Sequence, residues 1–222
     1  MTRIRWSVVA LFAVAVTASC ARRASLRDPD ARAYTAVAPD SFEVTMVTTR
    51  GIMIVRLRRP WSPLGVDRFH ALVRQRFFDD VAFHRTIRNF VAQFGIPGDT
   101  AVTRAWRGRG LDDEPVRAPN RKGTLSYARG GPRSRGTQLF FNTVDNTPRL
   151  DTLATIGFPP IGEVVGGLAV LDSLNWEYSG TRGGQTFPGP SQDSIGRQGN
   201  AYLRRVFPRL DYIVTARVTR TW

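Results

Sequence analysis

The sequence predicts a mainly β protein, a closed antiparallel β-barrel of seven or eight short strands with two helices. Three observations carry this expectation. Short β-rich runs recur along most of the chain, separated by turns that draw on 20 glycines and 14 prolines. No regular strand–helix alternation and no internal repeat is present, which argues against a parallel sheet or a solenoid. The 13 phenylalanines supply a core of bulky side chains for a compact β fold. Closing the sheet on itself removes exposed strand edges, which is why a barrel is preferred, although the same pattern also allows a sandwich.

The chain begins with a targeting pattern over residues 1–20. Arg3 and Arg5 form a positive start, and the apolar run from Trp6 to Val16 is too short to span a bilayer, which takes about 20 residues. Thr17, Ala18 and Ser19 are small, and Cys20 follows as the single cysteine, so no intramolecular disulfide can form. The Ala18-Ser19-Cys20 order resembles the lipobox of bacterial lipoproteins, with Thr17 departing from the usual apolar residue. On that reading Cys20 is lipidated, and the protein is exported, periplasmic and anchored to a membrane. Ordinary signal cleavage after Ala18 is the other reading. Residues 21–40 mix Arg, Asp and Pro with little periodicity and are expected to be a flexible tether. The globular domain is then expected over residues 41–222.

Within that domain, Phe42 to Thr48 alternates as a strand, Arg50-Gly51 turns, and Ile52 to Leu57 returns, making a hairpin. After Pro63, apolar Val66, Phe69, Leu72 and Val73 recur at helical spacing over about three turns. Val81 to Ile87 reads as one strand after the Asp79-Asp80 bend. Phe90 to Gly95 and Gly123 to Ala128 are two more, separated by residues 97–120, whose Gly, Pro, Arg and Asp content predicts a long surface loop. Gln138 to Asn142 and Ile161 to Val165 are strand-like, Leu168 to Leu174 suits a second short helix, residues 179–200 read as loop, and Tyr212 to Ala216 closes the chain, with Val218 in line to extend it.

Composition narrows the function classes. The formal net charge is +14, almost all from arginine, because Lys122 is the only lysine. Such charge can serve nucleic acid or an anionic surface. Here it is dispersed, with no stacking module or helix-turn-helix pattern, so no specific nucleic acid is expected as partner. No Gly-x-Ser-x-Gly elbow occurs, and two histidines leave little acid–base chemistry for a hydrolase.

Phe83-His84-Arg85-Thr86-Ile87, followed by Phe90 and Gln93, fills every fixed place of the Phe-His-Arg-x-Ile-x-x-Phe-x-x-Gln motif of the cyclophilins. Gly123-x-Leu125-Ser126-x-Ala128 and Gly136-Thr137-Gln138-Leu139-Phe140-Phe141 resemble two further blocks of that family. Leu150-Asp151 and Ile161-Gly162-Glu163-Val164 follow in the same order. The chain is identified on these residues as resembling cyclophilin-type peptidyl-prolyl cis–trans isomerases from about Phe42 to Ala216. The resemblance implies an eight-stranded closed antiparallel barrel capped by two α-helices, with the active face on the outside of the barrel.

It also implies roles. Arg85, Gln93 and Phe90 would be catalytic, with Gln93 holding the arginine and touching the substrate backbone. Val91, Phe140 and Leu150 would line a proline socket with Phe90, and Gln138 would meet the peptide beside the proline. Tyr127, Ala128 and Arg129 would run along the extended substrate. Phe158 falls about where a histidine often closes the socket, and Arg149 stands where many relatives have an aromatic residue. His84 and His70 are given structural places only. No metal or cofactor is implied, the partners are Pro-containing polypeptides, and a monomer is expected. The alternative is a Pro-segment binding module of the cell envelope that grips without turnover, which has less need of the arginine.

Overall fold

The structure is a computed structural model and describes residues 24–153, 156–178, 180–182 and 185–222. The targeting segment and Cys20 lie outside the described residues. The main sheet has nine strands: β1 Ser41–Thr48, β2 Gly51–Arg58, β3 Val81–Ala82, β4 Arg85–Ile87, β5 Val91–Phe94, β6 Thr124–Tyr127, β7 Leu139–Asn142, β8 Pro160–Gly166 and β11 Tyr212–Thr221. Their order is β3-β11-β1-β2-β8-β6-β7-β5-β4, with every pairing antiparallel. A separate ribbon pairs β9 Gly180–Arg182 with β10 Gln185–Phe187.

The strand count differs from the expected eight because Val81 to Ile87 is two strands, not one. β3 pairs with β11 at one end of the sheet and β4 with β5 at the other. Phe83 and His84 join them and are both buried. The curled sheet is thus brought round by two residues of chain, with no ladder between β3 and β4 among the described residues.

Alternation along the strands fills the interior. Phe42, Val44 and Met46 of β1 and Met53, Val55 and Leu57 of β2 are fully buried in one cluster with Phe94, Leu125, Tyr127, Leu139 and Phe141. The β1–β2 turn uses Gly51 at φ +131°, a conformation that favours glycine.

The predicted first helix is α1, Pro63–Arg74, with proline at its start where no N–H is needed. Its buried Val66, Phe69, Leu72 and Val73 belong to the same interior cluster. The predicted second helix is α4, Ala169–Ser173. Three helices were not predicted: α2 Thr100–Trp106, α3 Arg149–Thr152 and α5 Gln192–Val206. α2 lies in the segment expected to be surface loop. Its start is capped by Asp99, whose carboxylate accepts from the Ala101 and Val102 amides at 2.7 and 3.4 Å. α5 starts at Ser191, whose hydroxyl accepts from the Ser194 amide. Its polar surface and two glycines disguise it. Gly199 kinks it at φ +62°, where a Cβ would stand 2.0 Å from the Gly98 carbonyl. Ile195 and Leu203 of α5 pack with Ile96, Phe207, Leu210 and Tyr212 in a second apolar cluster.

Residues 24–40 are not the expected flexible tether. Tyr34 and Ala38 are buried in the main cluster, and Tyr34 meets Trp106 edge-on at 4.9 Å. The Trp106 indole donates to the Leu26 carbonyl at 2.8 Å, and Arg109 grips Asp30 through both guanidinium arms. A few apolar side chains and these polar contacts together hold a segment that lacks periodicity.

Candidate active site

The side chains of the site come from the outward-facing positions of four adjacent strands. Register places Arg85 of β4 opposite Gln93 of β5, Gln93 opposite Phe140 of β7, and Phe140 opposite Ser126 of β6. Because side chains alternate, the inward neighbours Ala92, Phe94, Leu139 and Phe141 fill the barrel while this row faces out. The next outward row is Ile87, Val91 and Asn142.

Val91, Phe140 and Leu150 form a third, separate apolar cluster, with Phe90, Ala128 and Phe158 packed against it. Phe158 meets Phe140 edge-on at 5.6 Å. Two arginines cover the rim: the Arg149 guanidinium lies 4.7 Å above the Phe90 ring and that of Arg129 lies 5.1 Å above Phe158. Phe90, Val91, Phe140, Leu150 and Phe158, the five residues expected at an apolar socket, are therefore together outside the main core, with Ala128 beside them.

Arg85 stands beside this cluster, half-buried, and its Nη1 donates to Gln93 Oε1 at 3.1 Å. No carboxylate among the described residues pairs with it, and burial alone pulls its pKa down. It stays protonated at neutral pH, as guanidinium does in proteins. Gln93 Nε2 donates onward to Gln138 Oε1 at 2.8 Å. The three residues thus form one directed chain beside the socket.

Tyr127 does not belong to this surface. It is fully buried with its ring in the barrel interior, and its hydroxyl donates to the Gly65 carbonyl at 3.2 Å. Strand alternation turns it away from the outward-facing Ser126 and Ala128. Burial pushes its phenol far above the ordinary range. Arg129 uses its guanidinium to hold the carbonyls of Gly157 and Leu153 at 2.9 and 3.2 Å, two positions of the chain leading into Phe158.

Beneath the socket lies a buried polar network that sequence reading did not find. Asn120 is fully buried. Its Nδ2 donates to Asp151 Oδ1 at 2.7 Å and to the Phe158 carbonyl at 2.9 Å. Its Oδ1 accepts from Ser126 Oγ and Asn142 Nδ2 at 2.9 and 3.1 Å. Asn146 extends the network, donating to Asn142 Oδ1 at 2.7 Å and to the Phe90 carbonyl at 2.9 Å. Both carbonyls held here belong to socket aromatics, so the network sets their height. Asparagines in a loop carry no periodic signal; only the burial reveals them.

His84 is fully buried next to Arg85 in sequence. Burial, and then the Arg85 cation, push its pKa down to about 4, with weaker opposing pulls from the Ala82 backbone and Gln138. It is neutral at pH 7 and offers no acid–base chemistry. His70 on α1 is buried edge-on to Phe42, and burial lowers its pKa too.

Alongside the socket runs a groove of about 530 Å³. Gln93, Ala128, Arg129 and Gln138 of the site line it, together with Trp106 and Gln192.

Comparison with known proteins shows what the chain is similar to. Residues 43–190 match the sequence model of the family described as cyclophilin type peptidyl-prolyl cis-trans isomerase/CLD. The chain is 36% identical over 134 residues to peptidyl-prolyl cis-trans isomerase CYP71 of Arabidopsis thaliana, covering 59% of this chain and 20% of that much longer protein. It is 33% identical over 141 residues to peptidyl-prolyl cis-trans isomerase-like 1 of Gibberella zeae, covering 62% of this chain and 84% of that one. A crystal structure of a cyclophilin type peptidyl-prolyl cis-trans isomerase from Cryptosporidium parvum superposes with a TM-score of 0.57 at 20% identity, over 81% of this chain and 98% of that one, which is a likeness of fold.

Proposed function

Since the chain belongs to the cyclophilin-type peptidyl-prolyl cis–trans isomerase family, we propose that it accelerates rotation about Xaa-Pro bonds in exported polypeptides, with Arg85 as its catalytic cation. The observation that carries the reading is Arg85 itself: a cation without a carboxylate partner among the described residues, oriented by Gln93, at the edge of an apolar socket.

The chemistry follows from the bond. Resonance gives the C–N link partial double-bond character and a barrier of about 18–20 kcal/mol. In the twisted state that resonance is lost and the prolyl nitrogen regains its lone pair. A guanidinium fixed near that nitrogen donates to the lone pair and so favours the twisted state over both planar ground states. The apolar cluster of Val91, Phe140 and Leu150, rimmed by Phe90 and Phe158, suits the pyrrolidine ring. Once the ring is seated, the remaining motion is rotation of the preceding residue. Gln138 has a second N–H left over to meet a peptide carbonyl. The reaction breaks no bond, so the residues named are sufficient.

The test is cis–trans exchange of a short Ala-Pro peptide, followed by NMR with purified protein. Wild type should speed exchange, and Arg85→Ala should lose at least tenfold of the acceleration while keeping its circular dichroism spectrum. A folded wild type that leaves exchange at the uncatalysed rate would instead support the non-catalytic binding module.

The cellular setting rests on sequence. The Arg3/Arg5 start, the apolar run to Val16 and the lipobox-like Cys20 support export to a periplasm and a lipid anchor. Mass spectrometry of the protein made in a bacterium that processes lipoproteins should find the acyl mass on wild type and none on Cys20→Ser; an unmodified wild type would leave simple signal cleavage.

A further inference from the structure

The first residue of α5 reaches the site. Gln138 Nε2 donates to Gln192 Oε1 at 2.9 Å. This bond completes a run from Arg85 Nη1 to Gln93, from Gln93 to Gln138, and from Gln138 to Gln192. The direction of every link is dictated by its head. Arginine can only donate, so Gln93 must turn its oxygen to Arg85 and its NH₂ to Gln138. Gln138 must then present its oxygen to Gln93, which points its NH₂ at Gln192. An acceptor at position 192 is what that last NH₂ needs, and a cation at the head polarises the whole run.

α5 is held firmly enough to serve as an abutment. Ser191 caps its start. Ile195 and Leu203 are buried in the second apolar cluster. Beyond the Gly199 kink, Asn200 donates to the carbonyl and carboxylate of Asp80 at 2.8 and 2.9 Å and Arg204 grips the same carboxylate, which anchors the second half of the helix. Gln138, by contrast, is only partly buried at the mouth of β7, and an unrestrained glutamine side chain samples several rotamers.

We propose that Gln192 is a positioning residue for the isomerase reaction: it holds the Gln138 amide, and through Gln93 the guanidinium of Arg85, in the orientation the reaction uses. The inference rests on the isomerase reading.

Gln192→Ala, Gln192→Glu and, as a control elsewhere on α5, Gln198→Ala would be compared with wild type in peptide exchange, in melting temperature and in the NMR signal of the Arg85 Nε–H group. Gln192 is exposed, so none of these changes threatens the fold. Gln192→Ala should lower kcat/KM three- to tenfold with an unchanged melting temperature and shift the Arg85 signal. Gln192→Glu keeps the acceptor and should stay within about threefold of wild type, and Gln198→Ala should match wild type in all three measurements. Gln192→Ala with kcat/KM within twofold of wild type and an unmoved Arg85 signal would overturn the proposal, as would Gln192→Glu as impaired as Gln192→Ala. An inactive wild type would sink the isomerase reading, and the Arg85 signal would still decide whether the run reaches from α5 to β4.

Discussion

Replacing His84 by glutamine should make the protein less sensitive to acid. The folded histidine takes up a proton at a pKa of about 4 because burial and the adjacent Arg85 disfavour its charge. An unfolded histidine does so near about 6.5. Between those values the unfolded chain holds more protons than the folded one, so stability rises with pH across the window and is lost as the solution is acidified through it. Integrating the two titrations from pH 7 to pH 4.5 gives a loss of about 2 kcal/mol from this one group. With a urea slope of about 2 kcal/mol per molar, the midpoint should fall by about 1 M more in wild type than in His84→Gln over that range. Urea unfolding of both proteins at pH 7, 6, 5 and 4.5, followed by circular dichroism, measures it. Carboxylates titrate in both proteins and cancel in the comparison. If the gap between the two midpoints stays constant with pH, His84 is not buried neutral and the reasoning is refuted.

Glu114→Gln should destabilise the protein by about 3 kcal/mol in urea, because it leaves the fully buried Arg135 without its ion partner; Arg135 Nη1 stands 2.9 Å from Glu114 Oε2, which also accepts from the Ser62 hydroxyl. A loss under 1 kcal/mol would mean that the Asp112 carbonyl and Ser62 satisfy Arg135 unaided. Asn120→Ala should cost about 2 kcal/mol by stripping partners from Ser126, Asn142 and Asp151, and should also lower kcat/KM because the Phe158 carbonyl is released. Unchanged kcat/KM in a destabilised Asn120→Ala would show that the network supports the fold without setting the socket.

The Asp79–Arg217, Asp67–Arg59 and Glu43–Arg56 pairs show where part of the arginine excess goes: partly buried guanidinium groups hold strands and helix ends together.

Short-range patterns determined a good deal of this protein before any tertiary contact was considered. Alternation in Phe42 to Leu57 specified a hairpin, and the 3.6-residue recurrence of Val66, Phe69, Leu72 and Val73 specified α1, because periodicity is a property of neighbouring residues. The socket residues Val91, Phe140 and Leu150, and Arg85 with Gln93, were legible through their motif; strand register brings Arg85, Val91, Gln93 and Phe140 to one outer face, and packing adds Leu150 from α3. Four things were decided only in three dimensions. The face on which Tyr127 lies depends on which neighbour of the strand meets the core, so a residue inside a recognised block turned out to be barrel interior. The split of Val81 to Ile87 into β3 and β4 depends on the curvature that brings both ends of the sheet to the same two residues. The polar network of Asn120 and the reach of Gln192 to Gln138 span 38 and 54 positions of chain, and no local pattern records a contact whose partners are that far apart.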